Sequence, residues 1–393
     1  MVDVTKHGFG EEIQQVYDMV DRYSREKLYD LSDRMDKDEW FPEEEYRAMS
    51  EIGILGITVP EEYGGAGMSM YAQAFASEAM TKWNSSLAGT YLASDNLCVN
   101  NILRNANEHI KKKYLPRFCD GSAIGALGLT EPGAGSDALG SMSTRAEMKG
   151  NNYVLNGRKM FITNGPVADV LLVYAKTDRG AGAHGISAFV VEKEFEGFHV
   201  AQKLDKMGWR GSPTGELVFE DCVVPPENLV GEENGGVAVT MSGLDLERVI
   251  LCSYAVGLAE RAVELAVEYA QTRKQFNRAI GEFQLIQGIL ADMYTDLESM
   301  RSFSYQLLKE VNDLEVGGGG RGEVHMRSAS AALYAGRACM RILDNAVQVH
   351  GGIGYMRESE VNRLYRVGKL LEIGAGTNQV RQMIIGEELV RNR

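Results

Sequence analysis

Between about residues 10 and 120 the apolar positions recur three and four apart. In EEIQQVYDMVDRYSREKLYDL, Ile13, Val16 and Val20 fall on one stripe, as in a helix with one buried face. The pattern resumes in EEEYRAMSEIGILG after a turn at Trp40-Phe41-Pro42 and breaks at the Gly-rich Tyr63-Gly64-Gly65-Ala66-Gly67. From Tyr71 to Leu103 the chain carries little charge and is rich in Ala, Ser, Met and Leu, which predicts helices buried on several sides. Near residue 125 the period changes to two. NNYVLNGRKMFITNG, ADVLLVYAK, GISAFVVEK and TGELVFEDCVV read as strands, and Asn156-Gly157 reads as a hairpin turn because both positions tolerate positive φ.

The helix period returns near residue 236. Leu258, Ala262, Leu265 and Ala266 belong to one long pattern, and Phe283, Ile286, Ile289, Leu290, Met293, Leu297 and Met300 to another. Stripes this broad suit a four-helix bundle and subunit contacts. The expected architecture is α+β and multidomain: an all-helical domain over 1–124, a central β-barrel over 125–235 and a helical bundle over 236–393.

Composition narrows the function. The 393 residues are 44% hydrophobic and 24% charged, which describes a globular protein. Acidic residues outnumber basic ones by 55 to 41, for a net charge of −14, so nucleic acid is not an expected partner. A polyphosphate ligand would have to be held locally by Arg, Lys and backbone N–H groups. The cysteines at 98, 119, 222, 252 and 339 form no close pair, which suits small buried side chains in a reducing compartment rather than disulfides or a metal site. With no secretory or transit pattern and no apolar run of membrane-spanning length, the expected location is cytoplasmic.

Several motifs tempt and fail. Gly317–Gly322 reads GGGGRG, but YQLLKEVNDLEV before it is helical in pattern, so no dinucleotide-binding βαβ unit is expected there. The histidines show no metal-ligand spacing, and no Gly-x-Ser-x-Gly elbow is present. What remains is a set of polar segments in otherwise buried contexts: Leu129-Thr130-Glu131-Pro132-Gly133-Ala134-Gly135-Ser136-Asp137, Phe161-Ile162-Thr163-Asn164-Gly165, Leu244-Asp245-Leu246-Glu247-Arg248, Arg273-Lys274-Gln275-Phe276, Gln348-Val349-His350-Gly351-Gly352, and Glu372-Ile373-Gly374-Ala375-Gly376-Thr377-Asn378-Gln379.

Taken jointly, these segments resemble the acyl-CoA dehydrogenases over nearly the whole chain, and within them the isovaleryl-CoA dehydrogenase branch. The resemblance implies FAD. Leu129, Thr130, Ser136, Phe161 and Thr163 would line the isoalloxazine ring. Arg273 and Phe276, with Gln348 and Gly352 close by, would reach a neighbouring subunit's cofactor, while Thr377 and Gln379 would hold their own. It implies an acyl-CoA substrate, electron-transfer flavoprotein as acceptor and a homotetramer.

Many members carry the catalytic base as Glu in a C-terminal Glu-Gly-Thr motif. Here that position is Ala375, so the resemblance moves the base to Glu247, with small Gly374 and Ala375 leaving room for a branched acyl group. The plainer reading of Glu247 is a helix-start carboxylate favoured by the macrodipole. Ser136 and Leu244 would line the substrate. Asp245, about 200° around the helix from Glu247, would face ligand or cap, and Arg248 would steer the base or the CoA chain. Asp95 departs from the branch, where a small neutral residue is usual. It reads either as an outward-facing or capping aspartate or as a pocket acid. The pocket reading keeps a cyclohexanecarboxyl- or cyclohex-1-ene-carboxyl-CoA dehydrogenase open; an acyl-CoA oxidase and a non-catalytic flavin- or CoA-binding scaffold are remoter alternatives.

Overall fold

The computed structural model describes residues 2–312 and 322–391. The GGGGRG segment and the end of YQLLKEVNDLEV lie outside the described residues, apart from Gly322, which opens a helix.

The N-terminal region is helical: α1 (Glu11–Tyr23), α2 (Leu31–Asp38), α3 (Glu43–Ala48), α4 (Met70–Trp83), α5 (Ser85–Tyr91), α6 (Asn100–Asn105) and α7 (Glu108–Cys119), with a π-helical stretch at Leu92–Val99. Ile13, Val16 and Val20 are buried, as the stripe on α1 predicts, and acidic Glu11 and Glu12 sit at its positive end. The low-charge α4 is buried from Ala72 to Lys82, including polar Gln73, Ser77 and Glu78.

The strands β1 (Gly125–Gly128), β2 (Arg145–Lys149), β3 (Asn152–Thr163), β4 (Val170–Lys176), β5 (Ile186–Glu192), β6 (Phe198–Lys203), β7 (Thr214–Val224) and β8 (Leu229–Val230) form one sheet. Its order is β6-β7-β3-β2-β4-β5-β8, with β1 parallel to β4. β2 and β4 meet only at Arg145 and Lys176, so the sheet folds there into two leaves with β6 and β8 as its ends. Leu155 and Phe219 from one leaf pack with Leu171, Val173 and Phe189 from the other.

The expected Asn156-Gly157 turn is corrected: both residues lie inside β3, and the β2–β3 hairpin instead turns at Gly150, φ +62°. Glycine is needed at 157 for contact rather than for turning. A Cβ there would stand 2.6 Å from the Cα of Thr144, and the β3–β7 ladder shifts register between Leu155 and Gly157.

The C-terminal region contains α8 (Gly236–Thr272), the two-residue strands β9 (Lys274–Gln275) and β10 (Arg278–Ala279), then α9 (Gln284–Asn312), α10 (Gly322–His350), α11 (Glu360–Gly368) and α12 (Asn378–Arg391). Met293, Leu297 and Met300 are the buried stripe of α9. Residues of α1 and α4 share one core with α8, α9 and α10, so the two helical regions are fused through α8. All five cysteines are buried and unpaired. Among the described residues no helix is long and apolar enough to cross a membrane, and no His, Cys, Asp and Glu cluster suits a metal ion.

The α4–α8 contact depends on Gly257, where a Cβ would meet the Glu78 carbonyl oxygen at 2.2 Å. Backbone on a packed helix does not yield like a side-chain tip. Gly257→Ala should therefore cost about 1–3 kcal/mol of stability, read from the midpoint of urea unfolding.

Candidate active site

Glu247 lies eleven residues into α8 rather than at its start, so the macrodipole reading of its position does not hold. Its carboxylate is half-buried and accepts a hydrogen bond from the Asn101 side-chain amide on α6, with Nδ2 to Oε1 at 3.4 Å. Burial raises its pKa to about 7; the Asn101 hydrogen bond and the Arg248 charge pull the other way, while Asp245 adds to the rise. A carboxylate poised there takes up and returns a proton near neutral pH, as a general base must.

Asp245 is indeed on another face, but it neither faces ligand nor caps. It is 2% exposed, and its Oδ1 receives Ser328 Oγ at 2.6 Å and Arg248 Nη1 at 3.2 Å, with His325 Nδ1 at 2.9 Å. Arg248 is equally buried in this knot between α8 and α10. Of the two roles expected for Arg248, steering the base or the CoA chain, its burial favours the first, and its charge reaches Glu247. Leu244 is half-buried.

The second part of the site is a ledge on the sheet. Met160 N donates to Thr130 O at 2.8 Å, which lays Leu129-Thr130 alongside the end of β3. Beneath it Lys159 and Glu131 form an ion pair at 2.9 Å, 0% and 2% exposed. Lys159 also donates to Leu129 O at 3.1 Å, and Glu131 accepts from Ser143 N and Oγ and from Thr144 N. Buried Asn164, φ +64°, ties the strand end down by donating to Thr90 O and Gly125 O, both at 2.9 Å.

On top of this frame Phe161 is 65% exposed at φ +62°, with Thr130 and Thr163 half-buried and Ser136 exposed. A bare aromatic beside hydroxyl and backbone groups suits a planar ligand with a polar edge. The loop glycines Gly133 and Gly135 face open space.

Asp95 is corrected from an outward-facing or capping group. It is 2% exposed and accepts the Gly56 N–H at 2.6 Å, and burial pushes its pKa to about 7. Its charge is felt by Tyr46, Tyr91, Cys98 and Cys119, all within the N-terminal helical region.

Arg273 to Phe276 lie just beyond the end of α8. α8 stops at Thr272, and β9 and β10 pair around a turn in which Phe276 and Asn277 have φ +49° and +64°. Phe276 is 89% exposed, and Arg273 is exposed without a salt bridge among the described residues. With a rise of 1.5 Å per residue, the end of α8 stands about 38 Å from Glu247, so one chain cannot bring both to one small site. Gln348 and Gly352 are exposed at the end of α10. The Gly374 carbonyl accepts a hydrogen bond from Arg381 Nη2 at 2.9 Å, Ala375 holds φ +51°, Thr377 Oγ1 accepts the Val380 N–H at 3.2 Å and caps α12, and Gln379 is exposed.

The residues absent from the sequence reading are Asn101, Gly243, Lys159 and Arg381. Gly243 carried the available signal, one turn before Glu247: a Cβ there would meet Asn101 Oδ1 at 2.8 Å.

One chain thus combines a helical region, a folded sheet with an exposed aromatic ledge, and a helical bundle with a half-buried carboxylate on α8. The chain belongs to the acyl-CoA dehydrogenase family: its N-terminal, middle and C-terminal domains match residues 10–122, 126–222 and 234–390. It is 43% identical to the mitochondrial 2-methylacyl-CoA dehydrogenase of Solanum tuberosum over 97% of this chain and 91% of the relative. It is 44% identical to the mitochondrial isovaleryl-CoA dehydrogenase of Oryza sativa subsp. japonica, over 98% and 92%. Butyryl-CoA dehydrogenase from Megasphaera elsdenii superposes with a TM-score of 0.92 at 36% identity, over 98% and 99%. The chain is thus an FAD-dependent oxidoreductase, and the ledge fits that cofactor.

Proposed function

We propose that this enzyme dehydrogenates a short branched, isovaleryl-like acyl-CoA to the enoyl-CoA, with Glu247 removing the α-proton. The observation that carries this reading is Glu247 itself, a half-buried carboxylate raised to about 7 in a chain with Ala375 where many members hold their base. Bound FAD supplies the two-electron acceptor for the β-hydride. The chain supplies the rest: a base within a partly dehydrated wall, an ion-paired ledge under Thr130, Phe161 and Thr163, and small residues at Gly374 and Ala375. Ser136 and Leu244 would border the substrate.

The remaining proposals concern assembly. Arg273, Phe276, Gln348 and Gly352 would serve a neighbouring subunit's cofactor, supported by the distance along α8, while Thr377 and Gln379 would serve their own. Exposed Phe276, Leu285 and Tyr355 support burial in a homotetramer. Electron-transfer flavoprotein is the proposed acceptor and the cytoplasm the proposed location, with domain limits at 1–124, 125–235 and 236–393.

The test is anaerobic reduction of the flavin by a panel of thioesters, followed by bleaching of its visible absorbance. Isovaleryl-CoA and 2-methylbutyryl-CoA should reduce it at least about tenfold faster than cyclohexanecarboxyl- or cyclohex-1-ene-carboxyl-CoA, since one methylene already carries about 1–3 kcal/mol of discrimination. Reduction by the cyclic thioesters alone would overturn the substrate assignment.

A further inference from the structure

We infer that Asn101 is a positioning residue for the base: its side-chain amide, admitted by the notch at Gly243, holds the Glu247 carboxylate in place from α6. This rests on the assignment of Glu247 as base and goes beyond it.

The amide is 1% exposed, and its orientation follows from its acceptors. Nδ2 donates to Leu97 O at 2.8 Å and to Glu247 Oε1 at 3.4 Å. Both partners are acceptors, so a flipped amide would set oxygen against oxygen twice. Oδ1, buried without a hydrogen-bond partner, lies over the Cα of Gly243. Any side chain at 243 would displace it. Gly243 and Glu247 are four residues apart on one face of α8, so the notch and the base lie in line. One turn further along α6, Asn105 Nδ2 donates to Ser242 Oγ and to the Asn101 carbonyl oxygen, both at 2.9 Å. The Asn105–Ser242 bond ties α6 to α8 beside the base.

An amide that donates to a carboxylate favours the charged form. It also restricts the rotamers from which the base can reach a substrate. The other titratable groups around Glu247 are Arg248 and Asp245 on α8 and Tyr174 on β4, none of which the variants below alter.

The test is rapid-mixing flavin reduction by isovaleryl-CoA between about pH 5.5 and 9, at subsaturating substrate, so that the acid limb reports the free enzyme. Asn101→Leu, alike in branching but larger and without the donor, should raise the midpoint of that limb by about 0.5–1 pH unit and lower the plateau severalfold. Gly243→Ala, which keeps the amide but pushes it aside, should move the midpoint in the same direction. If Asn101→Leu fails to fold, Gly243→Ala decides alone. A folded, FAD-replete variant with the wild-type midpoint overturns the inference. Glu247→Gln separates the two claims: if it still reduces its flavin the base assignment falls, and if it is inactive while the midpoints stay fixed, only the role of Asn101 falls.

Discussion

Glu247→Gln should give a folded, FAD-replete protein whose flavin is reduced by isovaleryl-CoA about 10³–10⁴-fold more slowly than in the wild type. Glutamine keeps the shape of the side chain and still offers an oxygen to Asn101 Nδ2, so neither α8 nor the knot around Asp245 has cause to move. What disappears is the proton acceptor, and a positioned general base is worth up to about 10⁴ in rate. The same residue fixes the pH dependence. Burial holds the Glu247 pKa near 7 against an ordinary 4.5, so below about 7 the folded enzyme carries the protonated, inactive form. Reduction rate at subsaturating substrate should therefore rise with pH through about 7, with a single protonation on the acid side. The sign for stability runs the other way. Between 4.5 and about 7 the folded chain keeps a proton that the unfolded chain has lost, so ionisation of this group at higher pH opposes folding. Glu247→Gln should accordingly melt no lower than wild type at pH 8. Near-normal flavin reduction in this variant would remove Glu247 from the chemistry.

The order of helical region, sheet and bundle was legible because each rests on a local period that tertiary contacts reinforce: Ile13, Val16 and Val20 on α1, and Met293, Leu297 and Met300 on α9. Where local grammar failed, a contact distant in sequence had the stronger claim. Asn156-Gly157 has turn residues, yet Gly157 is present because the Thr144 backbone passes too close for a Cβ. Phe276 occupies a turn position at φ +49° that aromatic residues seldom take, so the end of α8 at Thr272 was hidden. Glu247 was singled out by the resemblance, which moves the base to this residue when position 375 is Ala. Asn101 was not, among Asn96, Asn100 and Asn105, since sequence cannot say which amide faces which helix. In the structure Asn100 turns inward to Gln73 at 2.8 Å, and Asn101 turns to α8. The pairing of Lys159 with Glu131 was out of reach for the same reason: 28 residues and a change of strand separate the two charges.

That pair sets the second large effect. Lys159→Met should cost about 3–5 kcal/mol in urea unfolding and should lower the FAD content of the purified protein, because it leaves a buried carboxylate without its countercharge. The lysine stem is already packed, so methionine fills most of its volume and the loss is electrostatic rather than steric. Glu131 keeps its donors Ser143 N and Oγ at 2.6 Å and Thr144 N at 2.9 Å, which hold the loop to the wrong charge balance. Glu131→Gln should fall in the same range, since it strands the lysine with only Leu129 O at 3.1 Å. The double variant Glu131→Gln/Lys159→Met should cost less than the sum of the two, because it removes both charges at once. In the wild type Lys159 and the loop donors hold Glu131 at about 2, below its ordinary 4.5. A depressed carboxylate contributes stability above its unfolded pKa and loses it as pH falls through the folded one. The deficit of Lys159→Met should therefore be largest near neutral pH and shrink from about pH 4.5 down toward 2. Cofactor loss should precede global unfolding, since the pair underlies Leu129, Thr130 and Phe161 rather than the main helical core. A deficit below about 1 kcal/mol with full FAD occupancy would show that the ledge stands without its buried charges.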